Sequence, residues 1–251
     1  RRGAKRFKFI DRTFNLRYDR AAAILEFWLD RIGSRISIQF ETVPDRFPPE
    51  LRRILRRFPP DTLRLEVGVQ TYNREVAAAI DRRTDIEKAE ETLSFLTTAT
   101  SATVHADLII GLPGETTASF RAGFDRLYRR RPHEIQVGVL KRLPGAPIAV
   151  HDAKVRYRSV PPYDVVETDT IDRVDIVRLK HFAKYWELVV NRGRFPNRVA
   201  ALLDAAPSPF DRFLAFSDFA WRRFGRTWGL TPHHLATALD AFCRRTACRE
   251  R

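Results

Sequence analysis

"TLRLEVGVQTYNREVAAAIDRR" (residues 62–83) decides how the chain is read. Leu63, Leu65, Val67 and Val69 alternate along its first half, the period of a strand with one buried face. Gly68 and Gln70 interrupt the apolar run at its end, and a helical pattern starts near Asn73. A buried strand that ends on an amide and leads into a helix that carries Arg82 is a βα unit.

The same unit recurs on either side. Apolar runs at "RFKFID" (6–11), "RISIQFETV" (35–43), "TVHADLIIGLP" (103–113) and "EIQVGVLKRLP" (134–144) are each separated from the next by a helical pattern. Alternating strands and helices predict a parallel sheet with helical crossovers. Local signals set the expected helix ends. Asp19 is the expected N-cap of the first helix and Gly33 its stop. Pro48 and Pro49 open the second. "Thr84-Asp85-Ile86-Glu87" has the form of a capping box, and Pro132 closes the helix after the fourth strand.

Beyond Pro144 the pattern changes. A connector rich in proline and small residues, with room for a short strand pair, leads into helical patterns at 171–193, 197–206, 208–224 and 232–246. Phe210, Phe213, Phe216, Phe219, Trp221 and Phe224 recur at spacings that mark a wide apolar face, expected to pack against the barrel. The expected organisation is therefore α/β: a partial (β/α) barrel of parallel strands over 1–147, then a helical C-terminal domain over 148–251.

Composition narrows the function classes. The 251 residues are 44% hydrophobic, enough for a sizeable core. No run of 18 apolar residues exists, so no membrane span is expected. Net charge is +14, and only 7 of the 45 basic residues are lysine. Such a balance raises RNA as a partner, but the arginines are spread along helices, where solvated faces are the simpler reading. Cys243 and Cys248 lack nearby metal-ligand partners and read as reduced thiols of a cytoplasmic protein. The chain opens "RRGAKRFKFID", without Met and almost within a strand, from which we expect the downstream part of a longer protein.

Polar residues gather where the strands end, the edge at which parallel α/β folds place chemistry. The first run ends at Asp11, the second at Glu41, the third at Gln70. The fourth carries Asp107 and passes into "IIGLPGE". Gly111 and Gly114 in that turn would let backbone approach a flat ligand. The turn lacks the Gly-Lys-Ser/Thr ending of a phosphate loop.

"FIDRTFN", "FETVP", "EVGVQTYNREVAAAIDRR", "DLIIGLPGET" and "VGVLKRLPG", in this order, resemble strands two to six of the radical S-adenosylmethionine (SAM) enzymes. They are most similar to the Elp3/MiaB/NifB-like and cobalamin-binding branch, with oxygen-independent coproporphyrinogen oxidase. The resemblance covers about residues 5 to 147. It implies SAM as cofactor, a [4Fe-4S] cluster that generates a 5′-deoxyadenosyl radical, an electron donor such as flavodoxin or ferredoxin, and a cobalamin carried by an upstream domain. It implies roles for single residues as well. Gln70 and Asp107 would meet the SAM ribose, Arg82 the methionine carboxylate, and Glu41 the methionyl amine or ribose. Ile109, Gly111 and the backbone around Leu140 would line the adenine, with Asp11 at the same strand ends. The three-cysteine loop of those enzymes is not in this sequence: the simplest account places the cluster's ligands upstream of Arg1, and the other is a member of the family that has lost the cluster. The substrate and the reaction are not legible.

Two other readings compete. A basic RNA-binding or tRNA-modifying module would explain the charge and predicts steeply salt-dependent affinity. A metal-dependent barrel hydrolase would recruit His105, Asp107, Asp11 and Glu41 as ligands.

Overall fold

The structure is a computed structural model that describes residues 3–11, 13–32, 36–145 and 147–247. Gly33 and Cys248 lie outside the described residues. The element order is β1 (Arg6–Lys8), α1 (Tyr18–Leu29), β2 (Ser37–Thr42), α2 (Pro49–Leu55), β3 (Leu63–Gln70), α3 (Arg74–Ala79), α4 (Ile86–Ala99), β4 (Thr103–Ile110), α5 (Thr117–Arg129) and β5 (Glu134–Val139). Then follow β6 (Val155–Tyr157), β7 (Val165–Thr168), α6 (Arg173–Trp186), α7 (Pro196–Leu203), α8 (Pro209–Phe224) and α9 (Pro232–Ala247).

The five strands β1–β5 form one parallel sheet in sequence order. Its α/β architecture and the helical C-terminal part are those expected. β6 and β7 form a separate antiparallel pair. The chain divides into two compact units. The first holds residues 1–78, 82–108 and 126–135; the second holds 79–81, 109–125 and 136–251.

In the first unit, alternation divides the sheet into two faces. Ile38 and Phe40 of β2, Leu63, Leu65 and Val67 of β3, and Val104 and Ala106 of β4 are buried on one face. The intervening residues are polar: Gln39 and Glu41, then Arg64, Glu66 and Gln70, then His105 and Asp107. Asn15 ties the loop after β1 to the loop after β2. Its side-chain amide donates to Val43 O and Arg46 O and its Oδ1 accepts from Val43 N, all within 2.9 Å.

Helix ends follow their caps. Asp85 Oδ1 accepts from Lys88 N at 3.1 Å and starts α4. Asn73 Oδ1 accepts from Glu75 N and Val76 N and starts α3. Asp19 is not the cap of α1: that helix begins at Tyr18 with Arg17 as N-cap, and Asp19 lies in its first turn, where its charge still complements the helix dipole.

The second unit is centred on an aromatic core. Phe120 and Phe124 of α5, Phe182 and Trp186 of α6, and Phe210 and Phe213 of α8 are all buried. Phe124 meets Trp186 edge-on with ring centres 4.8 Å apart, and Phe213 meets Trp186 at 4.9 Å. Asp125 Oδ1 of α5 accepts from Phe210 N at 2.8 Å in the interior, which satisfies a first-turn amide of α8. Gly225, with φ of 60°, closes α8 by donating to Trp221 O.

Candidate functional site

Gln70 and Arg82 meet above Gly68. A side chain at Gly68 would place its Cβ 3.0 Å from Gln70 Nε2 and 3.4 Å from Arg82 Nη1. Glycine is therefore the residue that lets both polar groups close over the strand. Arg82 Nη1 donates to Gly68 O at 2.9 Å. The strand register shifts between Gly68 and Gln70, and Gln70 takes a positive φ of 70°. A glutamine in the left-handed region costs about 1–2 kcal/mol relative to an extended conformation. Such bulges re-aim side chains at strand ends.

Arg82 does not lie on the helix after β3, as its sequence position suggested. α3 ends at Ala79, Asp81 adopts a left-handed φ of 57°, and the Arg82 amide donates to Ala77 O at 2.8 Å. This turn sends Arg82 back to the strand. Burial lowers its pKa, against the opposing pull of Asp107 and Asp45.

Asp107 lies opposite Gly68 in the β3–β4 register. Its Oδ1 is buried with no hydrogen-bond partner among the described residues. Burial, with the nearby Glu66 and Glu41 carboxylates, pushes its pKa up to about 7; Arg82 and Lys8 pull the other way. A carboxyl poised near neutrality can donate as well as accept a hydrogen bond.

One register row nearer the strand starts, Glu41 pairs with Glu66, and Glu66 with His105. Lys8 Nζ lies 3.1 Å from Glu66 Oε2 and 3.4 Å from Glu41 Oε1, and Gln39 Nε2 also donates to Glu66. The His105 pKa is held down to about 4, first by burial and then by the Arg64 guanidinium. Its ring is therefore neutral at pH 7, with Nδ1 3.3 Å from Glu134 Oε2. Glu66, Lys8 and Gln39 were missed in the sequence reading. The signal was present, since Arg64, Glu66 and Gly68 fall two residues apart, in phase with Gln70.

Four of the expected site residues, Glu41, Gln70, Arg82 and Asp107, thus share one electrostatic environment. The remaining four are placed differently. Asp11 is exposed past the end of β1, where its Oδ1 accepts from Thr13 N at 3.1 Å. Its carboxylate serves that turn and does not join the Glu41 group. Ile109 follows Asp107 on the same side of β4, half-buried.

Gly111 and Leu140 belong to the packing of the second unit. A Cβ at Gly111 would stand 2.7 Å from Val165 Cγ1 and 3.4 Å from Ile176 Cδ1, and its φ is +83°. Side chains of β7 and α6 fill the space expected for a flat ligand. Leu140 N donates to Ile110 O and Leu140 O accepts from Val165 N, so its own backbone groups are engaged by strands.

A cavity of about 640 Å³ opens elsewhere in the first unit, lined by Tyr18, Arg46, Arg52 and Lys88 among others. It contains none of these residues. Among the described residues, no group of three or more His, Cys, Asp or Glu is placed to hold a metal ion. His105, Asp107, Asp11 and Glu41 therefore form no hydrolase-type metal centre there. No helix of the described residues is long and apolar enough to cross a membrane.

Comparison with known proteins places the fold. Two structures of the radical SAM methyltransferase TsrM from Kitasatospora setae align with a TM-score of 0.53 and 16% identity. One, with tryptophan substrate and a SAM analogue bound, covers 62% of this chain and 33% of that one. The other, with cobalamin and a [4Fe-4S] cluster bound, covers 63% and 32%. Coproporphyrinogen III oxidase from Escherichia coli aligns at a TM-score of 0.48 and 22% identity, over 66% of this chain and 36% of that one. The chain thus spans about a third of the length of these structures. No curated protein matches the sequence. A family model described as "Protein of unknown function (DUF4080)" matches residues 151–244. The model of the radical SAM superfamily matches residues 1–127, half of the sequence, and the chain belongs to that superfamily.

Proposed function

We propose that the polar face of the sheet binds S-adenosylmethionine for a radical SAM enzyme of the Elp3/MiaB-like and cobalamin-binding branch. The radical SAM part spans residues 1–147, and a helical domain follows over 148–251. In this reading Arg82 receives the methionine carboxylate. Gln70 and Asp107 receive the ribose diol, and Glu41 faces the cationic methionyl amine. Ile109 belongs to the second unit and is left out of this set. Asp11 is left out, because its carboxylate is taken up by the Thr13 turn. Gly111 and Leu140 are left out as well, because Val165 and Ile176 pack on Gly111 and strand hydrogen bonds engage the Leu140 backbone.

The observation that carries this reading is the convergence of Gln70 and Arg82 over Gly68, with Asp107 opposite in register and its Oδ1 unpartnered. The donor set suits the cofactor's chemistry. A guanidinium is a fork donor matched to a carboxylate, and a neutral amide can both donate and accept. Arg82 already spends one N–H on Gly68 O, which fixes the head and leaves its other donors for a ligand. A near-neutral Asp107 reduces the repulsion that a full charge would exert on the incoming carboxylate.

When bound, SAM supplies the radical chemistry of the superfamily. The sequence holds two cysteines and no three-cysteine loop, and this reading assigns the [4Fe-4S] cluster's ligands to other parts of the protein. The same assignment is made for a cobalamin and for the docking of a flavodoxin or ferredoxin.

Calorimetric titration with SAM tests the proposal. Arg82→Ala should weaken binding by about 1.5–3 kcal/mol, the range for a charge-assisted bond, and Gln70→Ala by about 0.5–1.5 kcal/mol. Equal or reversed losses contradict the assignment.

A further inference from the structure

The sheet's polar face carries a second set of groups at the opposite end of the strands. Lys8 pairs in register with Gln39, Gln39 with Arg64, and Arg64 with Thr103. Arg6 stands one row earlier, opposite Ser37. These six residues line a cavity of about 370 Å³ within the first unit. Four residues of extended strand separate Arg64 from Gly68, about 13 Å, so this cavity is distinct from the group around Arg82.

Its chemistry is that of a donor-lined cationic pocket. Three cations line it, Arg6, Lys8 and Arg64, against one carboxylate, Asp61, which is exposed. Lys8 is shared with Glu66 and Glu41. Arg6 and Arg64 have no ion pair among the described residues, whereas Lys8 on the same face is paired with Glu66 and Glu41. Ser37 and Thr103 add hydroxyl donors, and Gln39 an amide that already gives one N–H to Glu66. The field of Arg64 reaches inward, because it helps to hold the His105 ring neutral. Two arginines without counter-ions beside hydroxyl and amide donors are the complement of an anionic oxygen cluster.

We infer that this cavity binds an anionic group, a carboxylate or a phosphate, of the molecule on which the enzyme acts. Calling that molecule the substrate rests on the SAM reading of the neighbouring rows; the anion site itself does not.

The test uses inorganic phosphate and acetate as probes, with the His105 ring resonance as reporter, assigned by its loss in His105→Gln. The expected result is a saturable shift with one of the two anions, tighter phosphate marking a phosphorylated substrate and tighter acetate a carboxylated one. Arg64→Gln should weaken it by about tenfold or more, while Arg53→Gln, on the exposed side of α2, should leave it unchanged. Arg6→Gln, an exposed position on the edge strand, should weaken it as well and keeps the test open if Arg64→Gln does not fold. A shift that fails to saturate, or that is the same in both pocket variants as in the parent protein, overturns the inference. SAM affinity measured on the same variants should not change. Absence of SAM binding by the parent protein, with its anion shift present and weakened in the pocket variants, would count against the SAM assignment alone.

Discussion

In the first unit, alternate side chains of the sheet form a face held by charges: Lys8 of β1, Glu41, Glu66 and Asp107, with Arg82 reaching it from the turn after α3. In the second unit, the inward side of α8 is phenylalanine at 210, 213, 216 and 219. The two arrangements differ in what they do for stability. Aromatic burial is the largest favourable contribution a small domain can assemble. A face of partly buried charges contributes little net stability, because desolvation offsets most of the Coulomb attraction. One carboxyl there, Asp107, is driven to near-neutral pKa because its charged form is poorly accommodated. Groups in that condition are characteristic of functional sites, where affinity for a ligand is favoured over stability.

Two substitutions sharpen this contrast. Phe213 is fully buried among Trp186, Phe182 and Phe216. Phe213→Ala should destabilise the protein by about 3–5 kcal/mol in urea unfolding; a loss below about 1 kcal/mol would mean that the second unit does not depend on this core. Asp107→Asn should act in the opposite direction. Between pH 3.8 and about 7 the folded protein holds a proton on Asp107 that the unfolded chain releases. Wild-type stability should therefore fall as pH rises through this window and level off above it. The amide variant should lack that slope and gain on the order of 1–3 kcal/mol over the parent at pH 8 relative to pH 4. Parallel pH profiles for the two proteins would show that Asp107 is accommodated as an ordinary carboxylate.

The fold was largely legible, because it rests on period and punctuation. Alternating Leu63, Leu65 and Val67 fixed β3, Asn73 and Asp85 marked helix starts, and Pro48 and Pro49 opened α2. The candidate site was legible in part. Gln70 and Arg82 are twelve positions apart, and a left-handed turn at Asp81, with no distinctive residue type, brings Arg82 back to Gly68. Glu66 was overlooked because a polar residue inside a strand reads as solvent-facing until neighbouring strands show the same face to be polar. Gly111 was misread for a related reason. A glycine signals close approach but not what approaches, and here it is Val165, more than fifty residues later in the chain.

The most direct test of the account is a double-mutant-style cycle between Arg82→Ala and decarboxylated SAM, read by calorimetric titration. If Arg82 pairs with the methionine carboxylate, each change alone should weaken binding by about 1.5–3 kcal/mol and the two together by hardly more than one. Strictly additive losses would show that Arg82 and the carboxylate do not meet, and would contradict the proposed use of the polar face.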